Sequence, residues 1–300
     1  MKKKTVGIML SLSMAMSLMA CGSSTQPAAA SVDTEEPAAT TQAASTAEAT
    51  ASSTEAAADT AASTADVTTI KDGTLMVGVE IGYPPMEYFD TDGATPIGFD
   101  VEVANALADY LGLELVDTSW DGIFAGVDTG KYDCIISCVS ITDERKEQFN
   151  LTKPYVSNHT VLIVPNDSEI DSMEALNGHS TAVQAETTAD DYMKEHSAEL
   201  GAELFQYDKV INCFDDLKAG RTDSVFTDSV VAAYYLGDEA SNYKTVWEND
   251  ELEPIGICLK KGNDGLTQAI DDALDALSAD GTLGTIEEKY FGTDLTAGLR

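Results

Sequence analysis

"FDVEVANALADYLG", residues 99–112, sets the fold class. Its apolar positions are Phe99, Val103, Ala106, Leu107, Tyr110 and Leu111. They recur at helical spacing and so line one face. Gly112 suits the left-handed conformation that closes a helix. Before this helix, "TLMVGVE" (74–80) alternates as a strand does, and Asp92-Gly93 marks a hairpin in the turn-rich stretch 83–100. After it come "LELVDT" (113–118) as a strand, "DGIFAGVDTG" (121–130) as a short helix and "YDCIISC" (132–138) as a strand. Residues 74–138 thus read β-α-β-α-β, a parallel α/β unit.

The pattern restarts further on. "TVLIV" (160–164) reads as a strand. "DSMEALNG" (171–178) reads as a short helix with Asp171 and Glu174 in capping-box positions. "STAVQ" (180–184) is a strand and "TADDYMKEHSAEL" (188–200) a helix, and the alternation continues through "DSVFTD" (223–228) and "SVVAAYYLG" (229–237). "PIGICLKKG" (254–262) reads as one last strand, followed by two helices over 264–280 and 282–292. Two such units predict two α/β lobes. Small ligands bind α/β sheets beyond the C-terminal strand ends, which two lobes can turn toward a shared cleft.

Upstream the composition changes twice. Residues 1–21 combine a basic start, "MKKK", with an apolar run ending in "LMAC" (18–21). This is the form of a signal peptide followed by a lipidated Cys21. Residues 22–69 are rich in Ala, Ser and Thr and nearly devoid of large apolar side chains. Such a segment cannot bury enough surface to offset chain entropy and is expected to be a flexible tether. No later stretch approaches the roughly 18 apolar residues of a membrane span.

The chain carries 52 acidic and 17 basic residues, a formal net charge of −35. Such a surface repels nucleic acid and excludes that class of partner. His159, His179 and His196 show no metal-ligand spacing, so neither metal nor cofactor is expected. Cys134, Cys138, Cys213 and Cys258 allow three pairings and specify none. In an extended strand, Cys134 and Cys138 would stand roughly 13 Å apart, too far for a disulfide.

"SITDERKEQFN" (140–150) holds Arg145, one of only three arginines beside Arg221 and Arg300. A guanidinium offers a planar fork of donors that matches a carboxylate, which a lysine cannot offer.

Six stretches together resemble the bacterial family 3 extracellular solute-binding proteins of amino-acid ABC transporters. They are "VGVEIGYPPMEYFD" (77–90), "GFDVEVANALADYLG" (98–112), "WDGIFAGVDTGKYDCIISCVSITDER" (120–145), "VQAETT" (183–188), "DLKAGRTDSVFTD" (216–228) and "DGTLGTIEEKYFG" (280–292), in family order. The resemblance implies a two-lobed, type II periplasmic-binding-protein fold with two crossover strands. Lobe 1 would be 70–157 plus 251–300, and lobe 2 would be 158–250. It implies that Arg145 takes a ligand carboxylate, aided by Thr187 and Thr188 at a helix N-terminus. Asp228, the Ser140 hydroxyl and the Cys138 carbonyl would take the ammonium, with Ser137 beside them. Tyr83 and Trp120 would sandwich the ligand side chain, and Glu80 and Asp100 would stand near its far end.

The expected protein is a monomeric, lipid-anchored receptor on the outer face of a bacterial membrane. It would close on a free amino acid, deliver it to an ABC permease and perform no chemistry. Two negative charges near the far end favour a basic ligand, arginine, lysine or ornithine. Cystine and glutamine are the alternatives within the family. A cyclohexadienyl dehydratase-like enzyme or a sensory surface lipoprotein would be the alternatives on the same scaffold.

Overall fold

A computed structural model describes residues 67–108, 112–237, 242–293 and 295. The expected signal peptide, Cys21 and most of the expected tether lie outside the described residues, as do Tyr110 and Leu111.

The first sheet has the strand order β4-β1-β5-β14-β6, formed by Gly112–Asp117, Thr74–Val79, Cys134–Ile135, Cys258–Lys260 and Phe149–Leu151. β1 runs parallel to β4 and β5, and β14 runs antiparallel to β5 and β6. The second sheet has the order β10-β9-β11-β8-β12: Glu203–Tyr207, Ser180–Gln184, Ser224–Asp228, Thr160–Pro165 and Tyr243–Glu248. β9 is parallel to both its neighbours, while β8 is antiparallel to β11 and β12. β9 and β11 are buried along their whole length, because helices cover both faces of the sheet. The edge strands β4 and β10 are only partly covered.

Between the sheets, β7 (Val156–Asn158) and β13 (Glu253–Ile255) form a separate antiparallel pair. β7 carries the chain from the first sheet to the second and β13 brings it back. The molecule is therefore two α/β lobes tied by two adjacent crossings.

The first lobe holds α1 (Phe99–Leu107), α2 (Ile123–Thr129), α3 (Asp143–Gln148), α7 (Asp264–Ala279) and α8 (Thr282–Phe291). α1 buries Phe99, Val103, Ala104 and Leu107, and α7 and α8 return to pack on it. Burying the Phe99, Val103 and Leu107 side chains contributes about 1.5–3 kcal/mol each. The second lobe holds α4 (Thr188–Leu200), α5 (Val210–Lys218) and α6 (Ser229–Leu236). Gly98, before α1, has φ of 134°, and a Cβ there would lie 2.2 Å from the Met86 carbonyl oxygen. Only glycine permits that approach, which pins residues 85–87 against the start of α1.

Four local readings change. α1 ends at Leu107, with Ala108 as its C-cap, rather than at Gly112. Gly112 is claimed by the first sheet instead: its N–H donates to the Gly73 carbonyl at 2.7 Å, and it pairs in register with Thr74. The strand expected over 132–138 is formed only at Cys134–Ile135; Cys138 turns sharply, with φ of 47°. Its extended-strand separation from Cys134 therefore does not apply, yet all four described cysteines are free and buried. "PIGICLKKG" divides at Gly256–Ile257, because β13 pairs with β7 while β14 joins the first sheet. Glu174–Leu176 is a 3-10 turn with no side-chain cap, so the capping box does not form.

Candidate functional site

The lobes face each other across a cavity of about 310 Å3, counted together with the solvent space it opens onto. Its walls are Glu80, Tyr83, Glu87, Trp120, Ser137, Cys138, Ser140, Arg145, Gln184, Thr187, Thr188 and Asp228. Ten of the eleven residues singled out from the sequence meet here.

Arg145 sits on α3, whose N-cap Thr142 accepts from the Arg145 backbone N–H at 3.1 Å. The guanidinium donates to the Ser140 carbonyl at 3.0 Å and lies over the rings of Phe124 (4.9 Å) and Trp120 (5.7 Å). Burial lowers its pKa, and the nearby charge of Glu253 opposes that shift. No carboxylate among the described residues forms an ion pair with it within 4 Å. The Arg145 donors not engaged by Ser140 stay available to a ligand in the cleft.

Across the cleft, Thr187 is the N-cap of α4. Its hydroxyl accepts from the Asp190 N–H and donates to the Gln184 carbonyl at 2.8 Å. Thr188 opens the helix, whose first-turn N–H groups attract anions. The loop before it depends on Glu186 in a left-handed conformation, φ 63°. The Glu186 N–H donates to Asp190 at 2.8 Å, and its carbonyl accepts from the Trp120 indole at 3.0 Å.

Asp228 stands at the N-cap of α6 but makes no capping bond. Its side chain instead accepts from the Tyr83 hydroxyl at 2.5 Å, from Asn158 at 2.7 Å and from the Cys138 thiol at 3.6 Å. Burial raises its pKa to about 7, with the charge of Glu253 adding to the effect. A buried acid surrounded by donors but no cation is suited to receiving an ammonium.

Glu80, at the end of β1, is 3 % exposed. Gln184, at the end of β9, donates to its Oε2 at 2.7 Å, and the Trp120 backbone N–H also favours the charged carboxylate; among the described residues no other donor bonds Glu80 Oε1, and none bonds Gln184 Oε1. Burial raises the Glu80 pKa to about 7. Lys209 is near enough to oppose this, but its ammonium is engaged by the Ile81 carbonyl at 3.1 Å. The Ser137 hydroxyl accepts from the Glu80 N–H at 3.1 Å and donates to Glu87 at 2.6 Å.

Asp100 does not reach the cavity. It is fully buried beneath the Cys138 turn, where it accepts from the Cys138 N–H at 2.7 Å and from the Tyr155 hydroxyl at 2.8 Å. It is therefore not among the residues that line the cavity, unlike the place near the ligand that the resemblance implied for it. Glu87 and Gln184 line the cavity and were missed. Each had a signal: Glu87 is a lone acid in the apolar "YPPMEYF", and Gln184 is the polar end of the otherwise buried strand "STAVQ".

The comparisons with known proteins agree with this architecture. A profile of the bacterial extracellular solute-binding proteins, family 3, matches residues 75–293. The chain belongs to that family. It is 33 % identical over 228 residues to the L-cystine-binding protein TcyJ of Escherichia coli K12, covering 75 % of this chain and 85 % of that one. It is 30 % identical over 240 residues to the L-arginine-binding protein of Pseudomonas aeruginosa, covering 76 % and 92 %. Among solved structures, an ancestral arginine-binding protein bound to arginine superposes with a TM-score of 0.70 at 35 % identity, covering 73 % of this chain and 99 % of that one. The ancestral amino acid-binding protein AncCDT-1, a precursor of cyclohexadienyl dehydratase, superposes with a TM-score of 0.69 at 34 % identity, covering 73 % and 96 %. The family-level relationship establishes an extracellular solute-binding protein of the type II fold, related to amino-acid-binding components of ABC transporters.

Proposed function

We propose that this chain is the receptor of an amino-acid importer and prefers a ligand with a cationic side chain. One observation carries the reading. Among the described residues, one cavity holds a guanidinium without a carboxylate ion pair, a buried aspartate without a cation, and Glu80 and Gln184 oxygens that no side chain satisfies. Arg145 and the N-terminus of α4 suit the ligand carboxylate, and Asp228 suits its ammonium. Glu80 and Gln184 then remain for side-chain donors, and leaving them unmatched is costly. The aromatic faces of Tyr83 and Trp120 suit the methylenes of arginine, lysine or ornithine.

The relationship to a cystine-binding protein favours a second reading. The second ammonium of cystine would also satisfy Glu80. A thermal-shift panel of all amino acids identifies the ligand, since a compound that binds only the folded state raises the melting temperature. Calorimetry of Glu80→Gln with arginine, cystine and glutamine then tests the role of the acid. Arginine should bind best to the parent and lose most in the variant. A parent that prefers cystine or glutamine ends the basic-ligand reading and leaves the receptor reading standing.

Closure of the lobes on ligand is a hinge motion driven by contacts from both sides, and the closed form would be handed to a permease. Cys21 is the proposed lipid attachment site, placing the protein on the outer face of the membrane. Cys21→Ser should release it from the membrane with unchanged affinity, and retention of the variant after a high-salt wash would refute the anchor. In this reading the protein is a monomer and catalyses nothing. Incubation with the identified ligand and with prephenate-like acids, followed by product analysis, should show no turnover.

A further inference from the structure

Glu87 and Asp100 are both buried, at 1 % and 0 % exposure. Their backbones are held together: the Phe99 N–H donates to the Pro85 carbonyl at 2.9 Å, and the Asp100 N–H to the Met86 carbonyl at 2.8 Å. Their carboxyl groups are within hydrogen-bonding reach of each other. Asp100 spends its oxygens on the Cys138 N–H and the Tyr155 hydroxyl. Glu87 Oε1 accepts from Ser137, but Glu87 Oε2 has no donor. Among the described residues, the other titratable groups that act most on the pair and on its immediate partners are Glu80, Cys138, Tyr155, Asp228 and Glu253, none of them a cation.

Two carboxylates in contact, out of water and without a cation, cannot both be ionised. We propose that Glu87 and Asp100 share one proton, carried on Glu87 Oε2 and donated to Asp100, and that this acid pair positions the Cys138 turn in the cavity wall. The proton explains the orphaned oxygen: Oε2 is a hydroxyl, so it is a donor and not an unmatched acceptor. It leaves Asp100 as the ionised partner, which suits its two other donors. Burial and the charge of Asp100 both push the Glu87 pKa well up, in the direction this requires. The left-handed backbone of Cys138 is unfavourable for a residue with a side chain, and a charged acceptor for its N–H offsets that strain. Glu87 is thus a positioning residue that acts on the turn through Asp100.

The test needs no ligand, so its failure would leave the receptor reading untouched. Infrared difference spectra of the whole chain at neutral pH, parent minus Glu87→Gln, should show the carbonyl band of one protonated carboxylic acid. The glutamine amide keeps an N–H donor toward Asp100, so this variant should fold. Its melting temperature should also fall less steeply than the parent's as pH rises above the ordinary carboxylate range, because one linked proton is gone. Asp100→Asn is an independent route: it removes the charge that helps hold the proton on Glu87 while burial remains, so the same band should persist but be lost at a lower pH than in the parent. Absence of the band from the parent would overturn the proposal. So would a Glu87→Gln variant with the parent's band and pH slope, or an Asp100→Asn variant whose band is lost at the parent's pH or above.

Discussion

The Tyr83 hydroxyl donates to Asp228 Oδ2 at 2.5 Å, and the two residues belong to different lobes. Tyr83 follows β1 in the first sheet and Asp228 ends β11 in the second. An aspartate at an N-cap ordinarily bonds its own helix. Here it forgoes that bond to reach across the cleft. Asp228→Asn keeps the shape and removes the charge. It should weaken amino-acid binding by about 2–5 kcal/mol, as expected when a buried charge partner is lost, or roughly 1.4–3.7 decades in Kd. Tyr83→Phe removes one hydrogen bond and should cost only about 0.5–1.5 kcal/mol. Calorimetry of both variants checks the order, and a Tyr83→Phe loss exceeding that of Asp228→Asn would contradict it.

Arg145→Lys should fail almost as badly as Arg145→Ala. The lysine keeps the charge but cannot present two parallel N–H groups or lie flat over Phe124 and Trp120. A variant within about threefold of the parent, roughly 0.6 kcal/mol by the usual conversion, would remove Arg145 from the carboxylate role.

The buried acids give the empty protein an inverted pH response. Folded-state pKa values stand at about 7 for Glu80, about 7 for Asp228 and about 6 for Asp100, all raised chiefly by burial. A carboxyl raised on folding binds more protons in the folded state, so its stabilisation is present below the unfolded pKa and is lost as pH rises through the folded one. Stability without ligand should therefore fall between about pH 4 and 7, by on the order of 2–3 kcal/mol from Glu80 alone, and go on falling more gently at higher pH as the Glu87 proton is lost. Denaturant titrations across this range check the slope. A cationic ligand reverses it for binding: affinity should rise as pH passes through about 7, where Glu80 and Asp228 ionise.

Trp120→Phe keeps an aromatic face and deletes the indole bond to the Glu186 carbonyl on the other lobe. The loss should appear as faster ligand release, about two- to tenfold for a bond of this kind. Stopped-flow displacement measures it directly. Trp120 is one of only two tryptophans, the other being Trp247 in β12, so its fluorescence should also report ligand binding in the parent.

Periodicity and turn residues were enough to read the two-lobed α/β architecture. Helical spacing in α1 and buried runs such as "TVLIV" depend on local pattern alone. What failed needed tertiary information. Gly112 looked like a helix stop until the pairing of β1 with β4 claimed it. "PIGICLKKG" looked like one strand, because nothing within it reveals that its halves answer to different sheets. The candidate site was largely legible through family resemblance. Asp100 was misplaced because the depth of a carboxylate under a turn is set by Tyr155 and Cys138, which are distant in sequence. Glu87 was missed for the same reason in reverse.

The left-handed Glu186 carries a local cost. Its conformation disfavours any residue with a Cβ by roughly 1–2 kcal/mol, while glycine there loses about 0.4–1 kcal/mol through unfolded-state entropy. Glu186→Gly should consequently leave stability unchanged or raise it by up to about 1.6 kcal/mol. A clear drop in thermal unfolding temperature would show that the glutamate side chain itself supports the loop.

Of the four free thiols among the described residues, Cys134, Cys213 and Cys258 are buried at 0 % exposure, whereas Cys138 lines the cavity. This turns the molecule into its own opening gauge. A thiol reagent can reach Cys138 when the lobes part, while the other three await unfolding of a lobe. The rate of modification at Cys138 then counts excursions to the open form, slowed by a thiol pKa that burial raises well above its ordinary value. A ligand that holds the lobes shut should silence that single reaction, yielding a chemical clock of gating with no label added to the chain.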